Sequence, residues 1–124
     1  SYILMDATYR KHIPEFDCAL TIYASIISRP GDELAVADAG LKTMTNDMGL
    51  QSVRDVEGAS LIRQSEEHAK IQLLGASCPL RPGDKIHIIP SHVCTTINLH
   101  DRMYGVRNGV LEAIWEVGAR GRLQ

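Results

Sequence analysis

The stretch from Ile86 to His100 reads IHIIPSHVCTTINLH and joins an apolar strand to two residue types that bind metals. The apolar run ends at Pro90, and His92 and Cys94 then lie two residues apart. In extended backbone, residues i and i+2 point to the same side, roughly 6.5–7 Å apart along the chain. An imidazole and a thiolate at this spacing can converge on one metal ion.

Two ligands are too few for a closed zinc site, which normally takes four protein ligands. The pair therefore predicts an open site that water, substrate or another residue completes. Spacing alone favours a plainer alternative, in which His92 ends a strand with its ring hydrogen-bonded to backbone and Cys94 is a small buried residue.

Alternating apolar patterns outside this stretch predict a mainly β chain. The longest pattern runs from Cys18 to Ser28 and has apolar residues on both faces, which is typical of a central strand. Two Arg-Pro-Gly-Asp tetrapeptides, at 29–32 and 81–84, predict turns. Residues 43–58 are polar and indicate a long loop with little regular structure, a feature that is often functional. Further strands are predicted at 2–5, 34–37, 60–63, 69–73 and 86–89.

Asn108 and Gly109 form the clearest local signal, because Asn-Gly between two apolar runs is typical of a type I′ hairpin turn. A two-residue turn there predicts that Val106 pairs with Leu111 and Tyr104 with Ala113. This register also predicts a buried Trp115. Six or more strands without a convincing amphipathic helix indicate an all-β chain, an antiparallel barrel or sandwich with long loops.

Length and composition predict one compact domain over residues 1–124. The chain has 124 residues and is 44% hydrophobic, which is enough to bury a core. Its 13 basic and 15 acidic residues give no basic stripe, so nucleic acid is not an expected partner. No apolar run reaches the ~18–20 residues of a membrane span, so we also expect no membrane association.

Three cysteines at widely separated positions are typical of reduced thiols in a cytoplasmic protein: Cys18, Cys78 and Cys94. The chain begins in strand-like sequence without an initiator Met. We therefore expect a fragment of a longer protein.

The remaining ionisable groups do not stand out by their spacing. They are His68 with Glu67, His87, His100 with Asp101, and Asp38 with Lys42, and a solvated surface role is the expectation for each. The sequence lacks a glycine-rich phosphate loop, a Gly-x-Ser-x-Gly elbow and a Cys-x-x-Cys pair. No catalytic or cofactor-binding residue is therefore assigned beyond the metal pair.

Several ordered blocks resemble the C-terminal region of the D-threonine aldolase and D-serine dehydratase family. These are metal-activated pyridoxal phosphate enzymes with an alanine-racemase-like fold. The most diagnostic block is Pro-x-His-x-Cys at residues 90–94, followed by Thr-x-Asn-Leu at 96–99. The other matching blocks are residues 3–9, 27–32, 38–42, 65–68 and 83–85.

The resemblance implies that His92 and Cys94 hold a divalent metal. A Cys in place of Asp resembles the dehydratase-like members and points to zinc, with manganese as the alternative. The family's Schiff-base lysine and phosphate-binding groups lie in an N-terminal α/β barrel, so Lys42 is not that lysine. The resemblance further implies a homodimer that acts as a lyase on D-3-hydroxy amino acids, by elimination or by aldol cleavage.

A different class of function stays open beside this one. Under this second hypothesis, the chain is a free-standing, non-catalytic β domain that binds a metal or small ligand for regulation or assembly. The sequence upstream of Ser1 is the feature that separates the two hypotheses.

Overall fold

The computed structural model describes residues 2–122, and almost all of its regular structure is β. The strands are β1 (Ile22–Gly31), β2 (Leu34–Ala37), β3 (Ser52–Arg54), β4 (Ala59–Gln64), β5 (Ala69–Leu73), β6 (Lys85–Ile89), β7 (Arg102–Arg107) and β8 (Val110–Glu116). A 3₁₀ turn at Tyr9–Lys11 and a short helix α1 at Val93–Ile97 complete the described elements. The all-β prediction is confirmed.

Six antiparallel strands form one sheet in the order β3-β6-β1-β2-β5-β4. The predicted central position of β1 is confirmed, since its first half pairs with β6 and its second half with β2. Each half of β1 thus serves a different neighbour, which bends the sheet. The two edge strands, β3 and β4, come into contact, so the sheet curls into a nearly closed barrel.

The barrel interior holds the main hydrophobic core. On β1 the inward residues are Ile22, Ala24 and Ile26, as the alternating pattern predicts, and Ile71 and Ile88 face them from β5 and β6. Small inward residues on β2 allow this tight curvature, because Ala35 and Ala37 are both fully buried. No helix among residues 2–122 is long and apolar enough to cross a membrane.

The N-terminal segment is not the strand predicted for residues 2–5. It forms turns, and Met5 has a φ of 52°, which a β-strand cannot contain. Met5 and Ala7 instead pack with Cys18 and Ile89 in a second, smaller apolar cluster. This packing holds the segment against the end of β6.

Two boundaries between strand and loop also differ from the prediction. β1 continues through the first Arg-Pro-Gly-Asp sequence to Gly31 with register shifts, so that the turn falls at Asp32 and Glu33. The predicted loop at 43–58 contains the short strand β3, because Val53 pairs with Ile88 of β6. The second tetrapeptide forms its predicted turn before β6.

The hairpin β7-β8 is a separate two-stranded sheet. Its predicted type I′ turn is confirmed, with φ of 51° at Asn108 and 77° at Gly109. Val106 pairs with Leu111 as predicted, but Tyr104 pairs with Ile114 and not with Ala113, because the register shifts between Gly105 and Val106. The prediction of a buried Trp115 is wrong, since this residue is 53% exposed.

Candidate functional site

His92 and Cys94 lie where β6 gives way to helix α1. His92 has extended backbone (φ −144°, ψ 116°) and occupies the position just before the helix, and Cys94 is in the first helical turn. The expected extended geometry at both residues is therefore wrong for Cys94. The two side chains nevertheless converge, because the His92 ring is hydrogen-bonded to the Cys94 side chain.

Asp47 is the residue that orients the His92 ring. Its Oδ2 lies 2.6 Å from Nδ1 of His92, although the two residues are 45 positions apart. A carboxylate at one ring nitrogen fixes the tautomer and leaves the other nitrogen for a metal. Nδ1 therefore carries the proton toward Asp47, and Nε2 is the nitrogen with an available lone pair.

Two threonines hold Asp47 in turn. The hydroxyl of Thr95 donates to Oδ1 of Asp47 at 3.1 Å, and the hydroxyls of Thr45 and Thr95 are 2.6 Å apart. Hydrogen bonds from the side chains of Thr45 and His92 lower the pKa of Asp47 to about 2. The carboxylate is thus ionised at neutral pH and is a strong acceptor for the ring.

The same contact acts on the imidazole. The hydrogen bond to Asp47 raises the pKa of His92, while partial burial opposes the rise and the Cys94 side chain adds to it. Proton and metal compete for Nε2 of this ring, so metal binding should weaken as pH falls.

Buried polar side chains collect directly beneath this site. Ser91 donates to the Thr45 carbonyl at 3.2 Å, and the hydroxyl of Thr96 accepts from the Thr45 backbone N–H at 3.3 Å. Gln51 also donates to the Thr45 carbonyl. These bonds fix the loop that carries Asp47 against the start of α1, and Ser91, Thr96 and Gln51 are each 0–4% exposed.

Three of the other candidate groups have structural partners away from the metal pair. Lys42 forms an exposed ion pair with Glu67 at 2.7 Å, and not with Asp38. Nε2 of His100 donates to the Thr43 carbonyl at 2.7 Å. His87 lies 3.0 Å from the Thr21 hydroxyl and lines a cleft of about 810 Å³ between the hairpin and the sheet.

The donor set fits an open metal site. A neutral imidazole nitrogen and a thiolate are suitable ligands for zinc, and the carboxylate behind the ring is the usual second partner of a metal-binding histidine. Within residues 2–122, no three His, Cys, Asp or Glu side chains form a group that could hold an ion. A further ligand would have to come from water, from substrate or from another part of the protein.

Pyridoxal phosphate does not fit this chain in the same way. All four lysines are exposed: Lys11, Lys42, Lys70 and Lys85. A Schiff-base lysine needs a desolvated environment or a cationic neighbour to be nucleophilic. Among the described residues none of the four has an enclosed position.

Sequence reasoning missed Asp47. Its one signal is the long polar loop at 43–58, a kind of segment that is often functional. A single carboxylate in such a loop carries no spacing relation to a motif that begins 45 residues later. Only the fold brings Asp47 to His92.

A family model described as "Putative serine dehydratase domain" matches residues 19–106. The chain is 37% identical over 131 residues to a 3-hydroxy-D-aspartate aldolase of Paracoccus denitrificans, covering 98% of this chain and 33% of the relative. It is 35% identical over 126 residues to a D-threonine aldolase of an Arthrobacter species, with the same two coverages. The chain therefore spans about a third of the length of these two relatives.

A third relative is short. An uncharacterized protein of Mycobacterium tuberculosis is 35% identical over 116 residues, which cover 86% of each chain. Among solved structures, D-threonine aldolase from Filomicrobium marinum matches all of this chain with a TM-score of 0.93 and 37% identity, over 36% of its own length. A D-threo-3-hydroxyaspartate dehydratase from Delftia, at 22% identity and a TM-score of 0.78 over 93% of this chain and 36% of its own, shares the fold.

Proposed function

The chain belongs to the serine dehydratase domain family, and from this membership we propose that it is the metal-binding β domain of a pyridoxal-phosphate-dependent lyase acting on D-3-hydroxy amino acids. The matched region covers 88 of the 124 residues, 19–106 inclusive, and contains both His92 and Cys94. The activity itself is named for relatives of which this chain spans a third.

One observation carries the metal assignment. The 2.6 Å contact between Asp47 and Nδ1 of His92 leaves Nε2 as the ring nitrogen that can bind a metal. The same ring is hydrogen-bonded to the Cys94 side chain. A structural histidine at a strand end has no need of an ionised carboxylate held by two threonines. The arrangement is instead the usual one behind a metal-binding histidine.

When bound, a divalent metal would polarise the β-hydroxyl of the substrate, and pyridoxal phosphate would act as the electron sink. This chain's own contribution is to hold donors in place. Asp47 keeps the proton of His92 on Nδ1, and Thr45 and Thr95 keep Asp47 ionised. Cys94 would bind as the thiolate, which favours zinc over manganese.

Of the two reactions implied by the family, we propose aldol cleavage. The relatives named as aldolases are 35–37% identical to this chain, whereas the dehydratase is 22% identical. Cleavage of D-threonine would yield glycine and acetaldehyde. Elimination from the same substrate would yield ammonia and a 2-oxo acid, so the products separate the two reactions.

The remaining parts of the enzyme would come from outside this chain. We propose that an N-terminal α/β barrel binds pyridoxal phosphate and that the active site forms at the interface of a homodimer. The exposed lysines of this chain are in keeping with a cofactor held elsewhere. In the part of the chain that the structure describes, none of its three cysteines forms a disulfide, in keeping with the reducing cytoplasm.

The test uses the full-length protein that carries this domain, with D-threonine as substrate and L-threonine as the stereochemical control. His92→Ala should lower kcat/KM by at least about a hundredfold, because it removes a ligand of the activating metal. Chelation should have the same effect on the wild type, and zinc should restore only the wild type. His87→Ala is the matched control. His87 lies in β6, the strand that leads into the motif, but its ring contacts the Thr21 hydroxyl.

Equal activity in the His92→Ala and His87→Ala variants would remove His92 from the site. Activity that survives chelation in both would argue against a metal-dependent lyase altogether. Release of a 2-oxo acid in place of acetaldehyde would replace the aldolase with a dehydratase and leave the metal site standing.

The short Mycobacterium tuberculosis relative favours a second candidate. A protein that this chain covers over 86% of its length has little room for an additional large domain. The alternative is a free-standing β domain that binds metal without catalysis. Sequencing of the coding region upstream of Ser1 distinguishes the two, because only the lyase needs a preceding lysine-bearing barrel.

A further inference from the structure

Asp6 is the one carboxylate among residues 2–122 that is completely buried. Its Oδ1 accepts hydrogen bonds from the backbone N–H groups of Thr8, at 3.2 Å, and Tyr9, at 2.9 Å. Its Oδ2 accepts from the backbone N–H of Val93 at 3.3 Å. Burying a carboxylate is costly unless such donors surround it, so these three bonds determine its place.

The third bond reaches the residue between the two proposed metal ligands. Val93 is the first residue of α1, and its N–H is one of the groups that a helix leaves without an internal partner. The His92 side chain at the capping position makes no such bond. Asp6 therefore caps α1 from a segment 87 residues away in the sequence.

The neighbours of Asp6 bind the same stretch. The Ala7 N–H donates to the Pro90 carbonyl at 2.9 Å, and the Thr8 hydroxyl donates to the Ser91 carbonyl at 2.8 Å. Three consecutive residues, 6–8, thus hold the backbone at 90–93 from one side. Loop 43–51 adds contacts through Thr45, whose backbone bonds to the side chains of Ser91 and Thr96.

We propose that Asp6 is a positioning residue of the metal site, which fixes the backbone between His92 and Cys94 so that both donors face one ion. The inference rests on the proposed metal-binding function. A rotation of the Val93 peptide would swing the two donors apart, since they flank it on either side. The contact to Val93 is what resists that rotation.

The test is a titration of Co²⁺ alone into the 124-residue chain after chelator treatment. Thiolate-to-cobalt absorption in the near ultraviolet reports Cys94, and the visible d–d bands report the geometry of the site. Asp6→Asn keeps one oxygen for Thr8 and Tyr9 but turns an amide N–H₂ toward the Val93 N–H. We expect about tenfold weaker Co²⁺ binding or more, with altered d–d bands, as for other outer partners of metal ligands.

Ile71→Val is the control for stability alone. Ile71 is fully buried in the barrel, and its side chain has no group that could hydrogen-bond to residues 90–94. Its truncation should lower Tm by a few degrees and leave Co²⁺ affinity and spectrum unchanged. A fall in affinity equal to that of Asp6→Asn would reduce the role of Asp6 to general stability and overturn the inference.

The outcomes separate this inference from the proposed function. If the wild type binds Co²⁺ with thiolate absorption and Asp6→Asn matches it, the inference fails and the metal site stands. If the wild type gives no thiolate absorption, the metal site itself fails. If Asp6→Asn does not fold, Thr8→Val replaces it as the test. Co²⁺ binding about threefold weaker than in the wild type supports the positioning role of residues 6–8, and unchanged Co²⁺ binding overturns it.

Discussion

The ring of His92 is anchored at Nδ1, and one hydrogen bond decides which nitrogen can do chemistry. Asp47 is 42% exposed at its side chain, so solvent weakens the electrostatic part of this contact. Its directional part remains, because the threonines hold the carboxylate in place. The pair should therefore matter more for the orientation of the ring than for the stability of the domain.

The pH dependence of the pair follows from both pKa shifts. The pKa of Asp47 is lowered from 3.8 to about 2, so its stabilisation is present above pH ~4 and is lost as pH falls toward 2. The pKa of His92 is raised above 6.5, so its stabilisation is present below that value and is lost as pH rises through the folded pKa. In chelator-treated protein, the Tm difference between wild type and Asp47→Asn should be greatest from about pH 4 to 6.5.

Solvent screening should keep this difference below about 1 kcal/mol, or a few degrees in Tm. Glu67→Gln is the control, since the partner of Glu67 is Lys42, which does not titrate near neutrality. Its Tm difference should be flat from about pH 6 to 8. A flat profile for Asp47→Asn over the same range would contradict the coupling between Asp47 and His92.

At this scale the sequence pointed to the two proposed metal ligands but to neither of the carboxylates that contact the motif. His92 and Cys94 share a local motif, which spacing and resemblance can reveal. Asp47 and Asp6 act across 45 and 87 residues. Single carboxylates at such separations have no local pattern, and only tertiary structure joins them to the motif.

At the scale of elements, the turn at residues 38–42 docks backbone to backbone on the bend at 65–68. The N–H groups of Leu41 and Lys42 donate to the carbonyls of Ser65 and Glu66, each at 2.9 Å. This approach requires Gly40, because a Cβ there would lie 2.4 Å from the Ser65 carbonyl oxygen. Two of the blocks that resemble the family are thus in direct contact.

Gly40→Ala should therefore destabilise the domain, by about 1–3 kcal/mol or more, since only backbone atoms are available to move. Urea unfolding followed by circular dichroism measures the effect. Gly31→Ala is the matched control, because a Cβ at Gly31 meets nothing within 4 Å, and its effect should stay within about 0.5 kcal/mol. Equal urea midpoints for the two variants would show that the backbone at 65–68 can move aside with no loss of stability.

Turn chemistry and alternation predicted most elements, including the type I′ turn and the strands at 34–37 and 69–73. Helix α1 escaped prediction because its cap comes from Asp6 and not from its own sequence. The hairpin register escaped it because the irregularity beyond Val106 leaves no mark in the apolar pattern. Long-range contacts decided these cases against local preference.

For the whole molecule, the sheet brings distant blocks together in pairs. Residues 6–8 meet 90–93, residues 38–42 meet 65–68, and the middle of β1 meets the turn before β6 through Ile26 and Asp84. The barrel could be predicted because its signal is distributed along the chain as alternation. The pairing of the blocks could not, since it depends on how β1 divides between β2 and β6.

The arrangement of the whole chain also predicts what it cannot do alone. The purified 124-residue chain should retain no pyridoxal phosphate and cleave no D-threonine, because none of its four lysines is enclosed. Absorbance of bound cofactor after gel filtration measures the first, and aldehyde release measures the second. If borohydride reduction attached the cofactor covalently to one of the four lysines, this would contradict the proposal that the cofactor is bound outside this chain.

Trp115 lies across Gly105 on the hairpin, where a Cβ at Gly105 would come within 2.5 Å of the indole ring. It is the only tryptophan of the chain. The tryptophan fluorescence of the protein therefore reports the environment of the hairpin and is nearly insensitive to changes in the barrel. Emission should resemble that of water-exposed indole and should shift to the blue when anything covers the hairpin, whereas unfolding of the barrel has to be followed by another optical signal.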